Sequence, residues 1–104
     1  MNDFSNGLDA AELERLALLA EEAGELIQAI NKTIRHGYDS HNPDKPSDGT
    51  NREQICRELG DLSFSIELMV RSYDLDEGMI ELYRVIAKRK KLKYLHHQGD
   101  AVDG

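Results

Sequence analysis

Residues 21–26 read EEAGEL and residues 58–62 read ELGDL, and each stretch carries two acids three positions apart. Glu22 and Glu25 form the first pair, and Glu58 and Asp61 form the second. Residues three apart on an α-helix are neighbours on one patch of its surface. The spacing therefore predicts that four acids converge if the two stretches lie on helices that pack face to face.

The first acidic pair lies in a segment with the period of an amphipathic helix. Asp9 followed by Glu12 is typical of a capped helix start, and Gly37 is suited to end the helix. Between them, apolar residues at spacings of three and four predict a seam that packs on other helices. This seam contains Leu13, Leu16, Ala20, Ala23, Ile27, Ile30 and Ile34. Glu22 lies in a second apolar strip, so among these acids it is the one whose position is least explained by exposure to solvent. That strip contains Leu18, Leu19, Leu26 and Ala29.

Two more helices are predicted after a loop. Residues 37–49 contain both prolines and no hydrophobic period, which predicts a loop. Thr50 with Glu53 predicts the start of the second helix, and Asp74 with Glu77 predicts the start of the third. We expect helices over about residues 9–36, 50–72 and 75–95, with flexible ends. The second seam contains Ile55, Leu59, Leu62, Ile66, Met69 and Tyr73.

The composition is that of a soluble helical protein. The chain has 104 residues, of which 39% are hydrophobic and 32% charged, so we expect a single domain. It has no apolar run of membrane-spanning length and no secretion signal at the N-terminus, and it has one cysteine; the cytoplasm is therefore the expected location. The formal net charge of -7 argues against binding to duplex nucleic acid.

These patterns predict an all-α fold built on a long antiparallel hairpin of the first two helices, followed by a third helix. The apolar arc of the first helix is wider than its partners in a monomer would cover. A chain this short also has little core of its own. We therefore expect a homo-oligomer, a dimer or tetramer, in which a four-helix-bundle core is completed.

Acids on apolar strips need compensation, because removing a carboxylate from water costs several kcal/mol. Arg or Lys partners are one source of compensation, and a divalent metal ion is another. Carboxylate oxygens are the ligands that Mg²⁺ and Mn²⁺ prefer. A di-iron site usually adds Glu-x-x-His pairs, which this chain lacks. The residues thus favour Mg²⁺, with Mn²⁺ as a substitute, although ordinary surface acids remain the alternative.

The paired motifs EEAGEL and RELGDL resemble those of the MazG-like all-α nucleoside triphosphate pyrophosphohydrolases. The resemblance extends over residues 13–94. It implies that Glu22, Glu25, Glu58 and Asp61 are the metal ligands and catalytic acids. It also implies that Mg²⁺ is held against the triphosphate of a nucleotide substrate, which water cleaves to a nucleoside monophosphate and pyrophosphate.

The end of the third helix adds a basic segment to this resemblance. The family often has an Asn-x-Lys-x-x-Arg motif there, and this chain has Lys88, Lys90 and Lys93 at those places. The resemblance implies that these lysines contact the substrate phosphates. The expected function is control or cleansing of the nucleotide pool. The alternative is a non-catalytic helical interaction module in which the acids pair with basic residues.

Overall fold

The structure, a computed structural model, describes residues 5–99 as three α-helices with no β-strand. Helix α1 is Ala10–His36, α2 is Asn51–Arg71 and α3 is Glu77–Leu92, with a 3-10 turn at Pro46–Asp48. The predicted all-α class is confirmed over these residues. No helix within residues 5–99 is long and apolar enough to cross a membrane. The predicted flexible ends fall mainly on residues 1–4 and 100–104, outside the described residues.

Helix α1 begins and ends where its sequence predicts. The Asp9 carboxylate accepts a hydrogen bond from the Glu12 amide at 2.8 Å, and the Glu12 carboxylate accepts one from the Asp9 amide at 3.1 Å. This reciprocal capping box satisfies two backbone donors at the start of the helix. At the other end Gly37 has a φ of +87°, and its amide donates to the Thr33 carbonyl at 2.7 Å. A φ in this region favours glycine, so Gly37 stops the helix.

Helix α2 begins as predicted and ends earlier than its hydrophobic seam suggests. The Thr50 hydroxyl accepts a hydrogen bond from the Glu53 amide at 3.2 Å, which caps the first turn. The helix ends at Arg71, and Tyr73 lies beyond it with a φ of +64° and 94% of its surface exposed. The assignment of Tyr73 to the packing seam is therefore wrong, because its backbone has already left the helix.

Helix α3 is shorter at both ends than predicted. Asp76, not Asp74, is its N-cap, and the Asp76 carboxylate accepts a hydrogen bond from the Met79 amide at 2.8 Å. Asp74 instead accepts two hydrogen bonds from Arg15, with distances of 2.5 Å to Nε and 3.0 Å to Nη2. Because the Asp74 carboxylate is paired with Arg15, it does not cap α3 as predicted. The helix ends at Leu92, short of the predicted residue 95.

Chain contacts divide the molecule after Asp74 into two compact units, one with α1 and α2 and the other with α3. In the first unit α1 and α2 run antiparallel. Arg15 near the start of α1 pairs with Asp74 just after α2, and Asn51 at the start of α2 donates to the Gly37 carbonyl just after α1 at 2.8 Å. The predicted hairpin is therefore present, while the single-domain organisation stays a prediction.

The hairpin packs through the strip that contains Glu22, not through the predicted main seam. Ala29 of this strip is 6% exposed, and Met69 of α2 is 2% exposed. By contrast Ile27 and Ile34 of the predicted seam are 58% and 76% exposed. The predicted seam of α1 therefore does not find its packing partner within residues 5–99. The more apolar strip of α1 consequently remains exposed.

Candidate metal site

The hairpin brings the two acidic pairs together. One carboxylate oxygen from each of Glu22, Glu25, Glu58 and Asp61 lies within 4.8 Å of the other three, and these residues are called the acidic cluster below. Two acids come from consecutive turns of α1 and two from consecutive turns of α2, as the three-residue spacing requires. The four acids thus converge as their spacing predicts, while their role as metal ligands stays a prediction.

Two oxygens of the acidic cluster are shielded from solvent and have no partner. Glu22, Glu25 and Glu58 are half-buried, and Asp61 is exposed. Glu22 Oε2 and Glu58 Oε2 are buried and receive no hydrogen bond from the described part of the chain. Buried polar atoms are nearly always satisfied, so each unsatisfied one requires an explanation. A cation held between these oxygens would supply the missing interaction.

The electrostatics of the acidic cluster disfavour its charged form when no cation is present. Burial raises the pKa of Glu22 above its ordinary value, and repulsion from Glu25 and Asp61 raises it further. Burial also raises the pKa of Glu58, and the neighbouring Glu25 and Asp61 carboxylates raise it further. Arg57 lowers the pKa of Glu58 by less than these effects raise it. A divalent ion would reverse the balance by stabilising the carboxylates.

Basic residues do not provide the compensation. The ion pairs between residues 5 and 99 are Arg15–Asp74, Arg52–Asp39, Arg71–Glu67 and Arg84–Glu81. None of them includes a member of the acidic cluster. The cluster also contains only carboxylates and no His or Cys, so its donors are hard oxygens. This donor set fits Mg²⁺ or Mn²⁺.

In each acidic pair a glycine lies between the two acids, and no other part of the described chain packs closely against it. A Cβ atom added at Gly24 or Gly60 would meet nothing within 4 Å in the described part. Glycine is a poor helix former, so a glycine inside a helix calls for a reason. Contacts within the described part of the chain do not supply one at either position. Both positions are exposed and open toward solvent beside the acidic cluster.

The remaining predicted site residues differ in how far the structure describes them. Glu21, the acid next to Glu22, is exposed and lies outside the acidic cluster. Lys88 and Lys90 lie in α3, and Lys93 follows its last residue. These lysines are exposed at the basic end of the second compact unit. Their contact with phosphate stays a prediction.

Ser65 is a buried polar residue that the sequence reasoning missed. It is 0% exposed, and its hydroxyl has no hydrogen-bond partner in the described part. Ser65 lies seven residues after Glu58, which places both on the same side of α2. In the sequence, Ser65 is a small polar residue between Phe64 and Ile66, at a helical spacing from Glu58 that could have drawn attention to it. Ser65 is thus buried on the same side of α2 as Glu58, about 10 Å farther along the helix axis.

Comparison with known protein families gives one match that extends over most of the chain. The profile of the MazG nucleotide pyrophosphohydrolase domain matches residues 11–97, a range that contains the acidic cluster and the three lysines. No curated protein and no solved structure matches the chain. The profile extends over all three helices and most of the sequence. The chain therefore belongs to the MazG nucleotide pyrophosphohydrolase domain family.

Proposed function

We propose that this protein is a divalent-metal-dependent pyrophosphohydrolase that converts nucleoside triphosphates to nucleoside monophosphates and pyrophosphate. The observation that carries the proposal is the convergence of four carboxylates, two with unsatisfied buried oxygens. Membership of the MazG family adds the reaction class. Canonical or modified (d)NTPs are the proposed substrates, and control or cleansing of the nucleotide pool in the cytoplasm is the proposed role.

The acidic cluster would hold Mg²⁺, with Mn²⁺ as a substitute. The bound ion supplies charge neutralisation and Lewis-acid polarisation to the reacting phosphates. Glu22 and Glu58 contribute the shielded oxygens, and Asp61 forms the exposed side of the cluster. Because each acidic pair lies on an α-helix, the backbone fixes the positions from which its two carboxylates project. Such preorganisation is the main contribution that a protein makes to phosphoryl transfer.

The lysines at the end of α3 are proposed to neutralise substrate phosphates. Lys88, Lys90 and Lys93 form part of a strongly basic segment in a chain of net charge -7. Their ammonium groups act as mobile point charges rather than as planar forks. The family pattern supports this role most directly at Lys90, because Lys88 and Lys93 stand where the pattern has Asn and Arg. It predicts a higher KM for substrate when these lysines are neutralised.

We also propose that the protein is a homo-oligomer, a dimer or tetramer, in which a four-helix-bundle core forms. The support is the exposed apolar surface of the hairpin, where Ile27, Ile34 and Phe64 are each more than half exposed. Among residues 5–99, Ala29 and Met69 are the apolar residues that are buried. A domain normally buries far more apolar surface than this. Sedimentation that shows only an 11.8 kDa monomer at micromolar concentration would contradict the proposal.

The test of function is a panel of nucleoside triphosphates with Mg²⁺ and identification of both products. We expect pyrophosphate and a nucleoside monophosphate from at least one nucleotide. Glu58→Gln should abolish this activity, because it removes a ligand from the acidic cluster. Glu21→Gln is the matched control, since Glu21 lies on the same helix as Glu22 but outside the cluster. Release of orthophosphate alone, or full activity in Glu58→Gln, would contradict the proposal.

A further inference from the structure

A cavity of about 290 Å³ lies at the loop end of the hairpin. It is bounded by the last turns of α1, the connecting loop and the first turn of α2. Its lining includes Lys32, Arg35, His36, His41, Asn51 and Gln54. They form what we call the loop cavity. None of them belongs to the acidic cluster.

Hydrogen bonds across the loop hold the loop cavity in shape. The Asn51 side chain donates to the Gly37 carbonyl at 2.8 Å, and the Asn51 amide donates to the Ser40 carbonyl at 2.9 Å. The Arg52 amide donates to the Tyr38 carbonyl at 2.9 Å, and the Arg52 guanidinium lies 5.0 Å from the centre of the Tyr38 ring. Asn51 itself is only 6% exposed. The loop is therefore fastened to the start of α2, which preorganises the cavity.

The charge of the loop cavity is suited to an anion. Lys32 and Arg35 line it, and neither takes part in an ion pair with the described part of the chain. Asp48 is the acid among the lining residues. With neutral histidines the lining still carries an excess positive charge, in a protein whose net charge is -7. Among residues 5–99, no Phe, Tyr or Trp lines the cavity to offer a ring on which a nucleobase would stack.

The loop cavity lies in line with the acidic cluster along the hairpin. Lys32 follows Glu25 by seven residues, which places it about 10 Å farther along α1 on the same side. Gln54 precedes Glu58 by four residues, which is about 6 Å along α2, again on the same side. Since α1 and α2 run antiparallel, both steps lead from the cluster toward the loop. A triphosphate held at the cluster with its terminal end toward the loop would therefore point at the cavity.

We propose that the loop cavity binds the terminal phosphates of the substrate, and so receives the pyrophosphate that leaves. Lys32 and Arg35 are the proposed contacts, with charge-assisted hydrogen bonds to phosphate oxygens. The proposal rests on the proposed function and adds a place for the leaving group. It orients the triphosphate with its terminal end toward the loop and its nucleoside on the opposite side of the acidic cluster.

The test is calorimetric titration of the full chain with inorganic pyrophosphate in the presence of Mg²⁺. The double variant Lys32→Ala/Arg35→Ala should bind pyrophosphate at least about tenfold more weakly than the parent. Lys45→Ala is the matched control, because Lys45 is an exposed cation of the same loop that does not line the cavity. It should bind pyrophosphate like the parent. Lys32 and Arg35 are themselves exposed, so their replacement leaves the fold intact.

Equal pyrophosphate affinity in the parent and the double variant would overturn the proposal, as would a parent that does not bind pyrophosphate. The proposal would also be overturned if the double variant bound a nucleoside without phosphates more weakly than the parent but bound pyrophosphate equally well. That result would make the cavity a nucleoside site. Failure of the proposed function looks different. In that case no triphosphate is hydrolysed by the parent, whereas pyrophosphate binding still depends on Lys32 and Arg35.

Discussion

Replacing Glu58 by glutamine should change protein stability in opposite directions with and without metal. In the metal-free protein the substitution removes a half-buried charge that three neighbouring carboxylates repel. The free energy of unfolding should therefore rise. With Mg²⁺ the same substitution removes one of four ligands, so the variant should lose most of the stabilisation that the metal gives the parent.

The size of the metal effect follows from linkage. Mg²⁺ at about 100 times its dissociation constant adds about 2.7 kcal/mol to the free energy of unfolding. An unfolding entropy of about 2.1 cal/mol/K per residue over 104 residues converts this to a rise in Tm of about 12 °C. If the variant binds Mg²⁺ about 100-fold more weakly, the same Mg²⁺ concentration adds only about 0.4 kcal/mol, or about 2 °C.

Thermal unfolding followed by circular dichroism, with EDTA and with Mg²⁺, measures both effects. Glu21→Gln serves as the control because it removes the same charge from a position outside the acidic cluster. It should keep the rise in Tm of the parent. A rise that is equal in Glu58→Gln and in the parent, or a Glu58→Gln variant that is less stable than the parent in EDTA, would refute the reasoning.

Three further predictions concern pH, packing and helix propensity. The pKa values of Glu22 and Glu58 are raised in the folded state. Their contribution to stability is therefore complete below about pH 4 and is lost as the pH rises through the raised values. Urea unfolding in EDTA should show this loss of stability, and saturating Mg²⁺ should abolish the pH dependence. Met69→Ala should cost about 2–5 kcal/mol of unfolding free energy because Met69 is 2% exposed, whereas Met79→Ala, at a site 57% exposed, should change it by less than about 0.5 kcal/mol. Gly24→Ala should raise the free energy of unfolding by about 0.8–1 kcal/mol, since its Cβ meets nothing within 4 Å in the described part. A decrease would contradict this prediction and would indicate that a second copy of the chain packs against that position.

The features of the fold that depend on local sequence were predictable. The Asp9–Glu12 capping box and the Gly37 stop are set by residues within a few positions of each other. The start of α3 was not predictable in the same way. Asp74 and Asp76 both offer a capping carboxylate, and Asp74 is taken by Arg15, which lies 59 residues away in the sequence. A long-range ion pair of this kind leaves no local signal.

Hydrophobic periodicity located the helices but did not identify the face that packs within the chain. Helix α1 has two neighbouring apolar strips, and the more apolar one was predicted to pack. In the structure the strip with Ala29 faces α2, while Ile27 and Ile34 remain exposed. Packing depends on which surface the partner offers. The sequence of one chain does not distinguish a partner helix in that chain from one in a second copy.

Convergence of the four acids followed from their spacing, whereas the loop cavity did not follow from any motif. Three-residue spacing fixes neighbours on each helix, and the antiparallel hairpin then brings the pairs together. The cavity depends on contacts such as the hydrogen bond from Asn51 to the Gly37 carbonyl, which joins residues 14 positions apart. Asn51 is an ordinary first-turn residue in the sequence. Its structural role becomes visible only when the loop is folded.

The most direct test of the metal site is titration of the protein with Mn²⁺, followed by electron paramagnetic resonance of the free ion. The parent and Glu21→Gln should bind Mn²⁺ with the same affinity and stoichiometry, and added Mg²⁺ should displace it. Glu22→Gln should leave most of the Mn²⁺ free, because Glu22 supplies one of the shielded oxygens of the acidic cluster. Equal Mn²⁺ binding by the parent and Glu22→Gln, or no binding by the parent, would contradict the assignment of these four acids as the metal site.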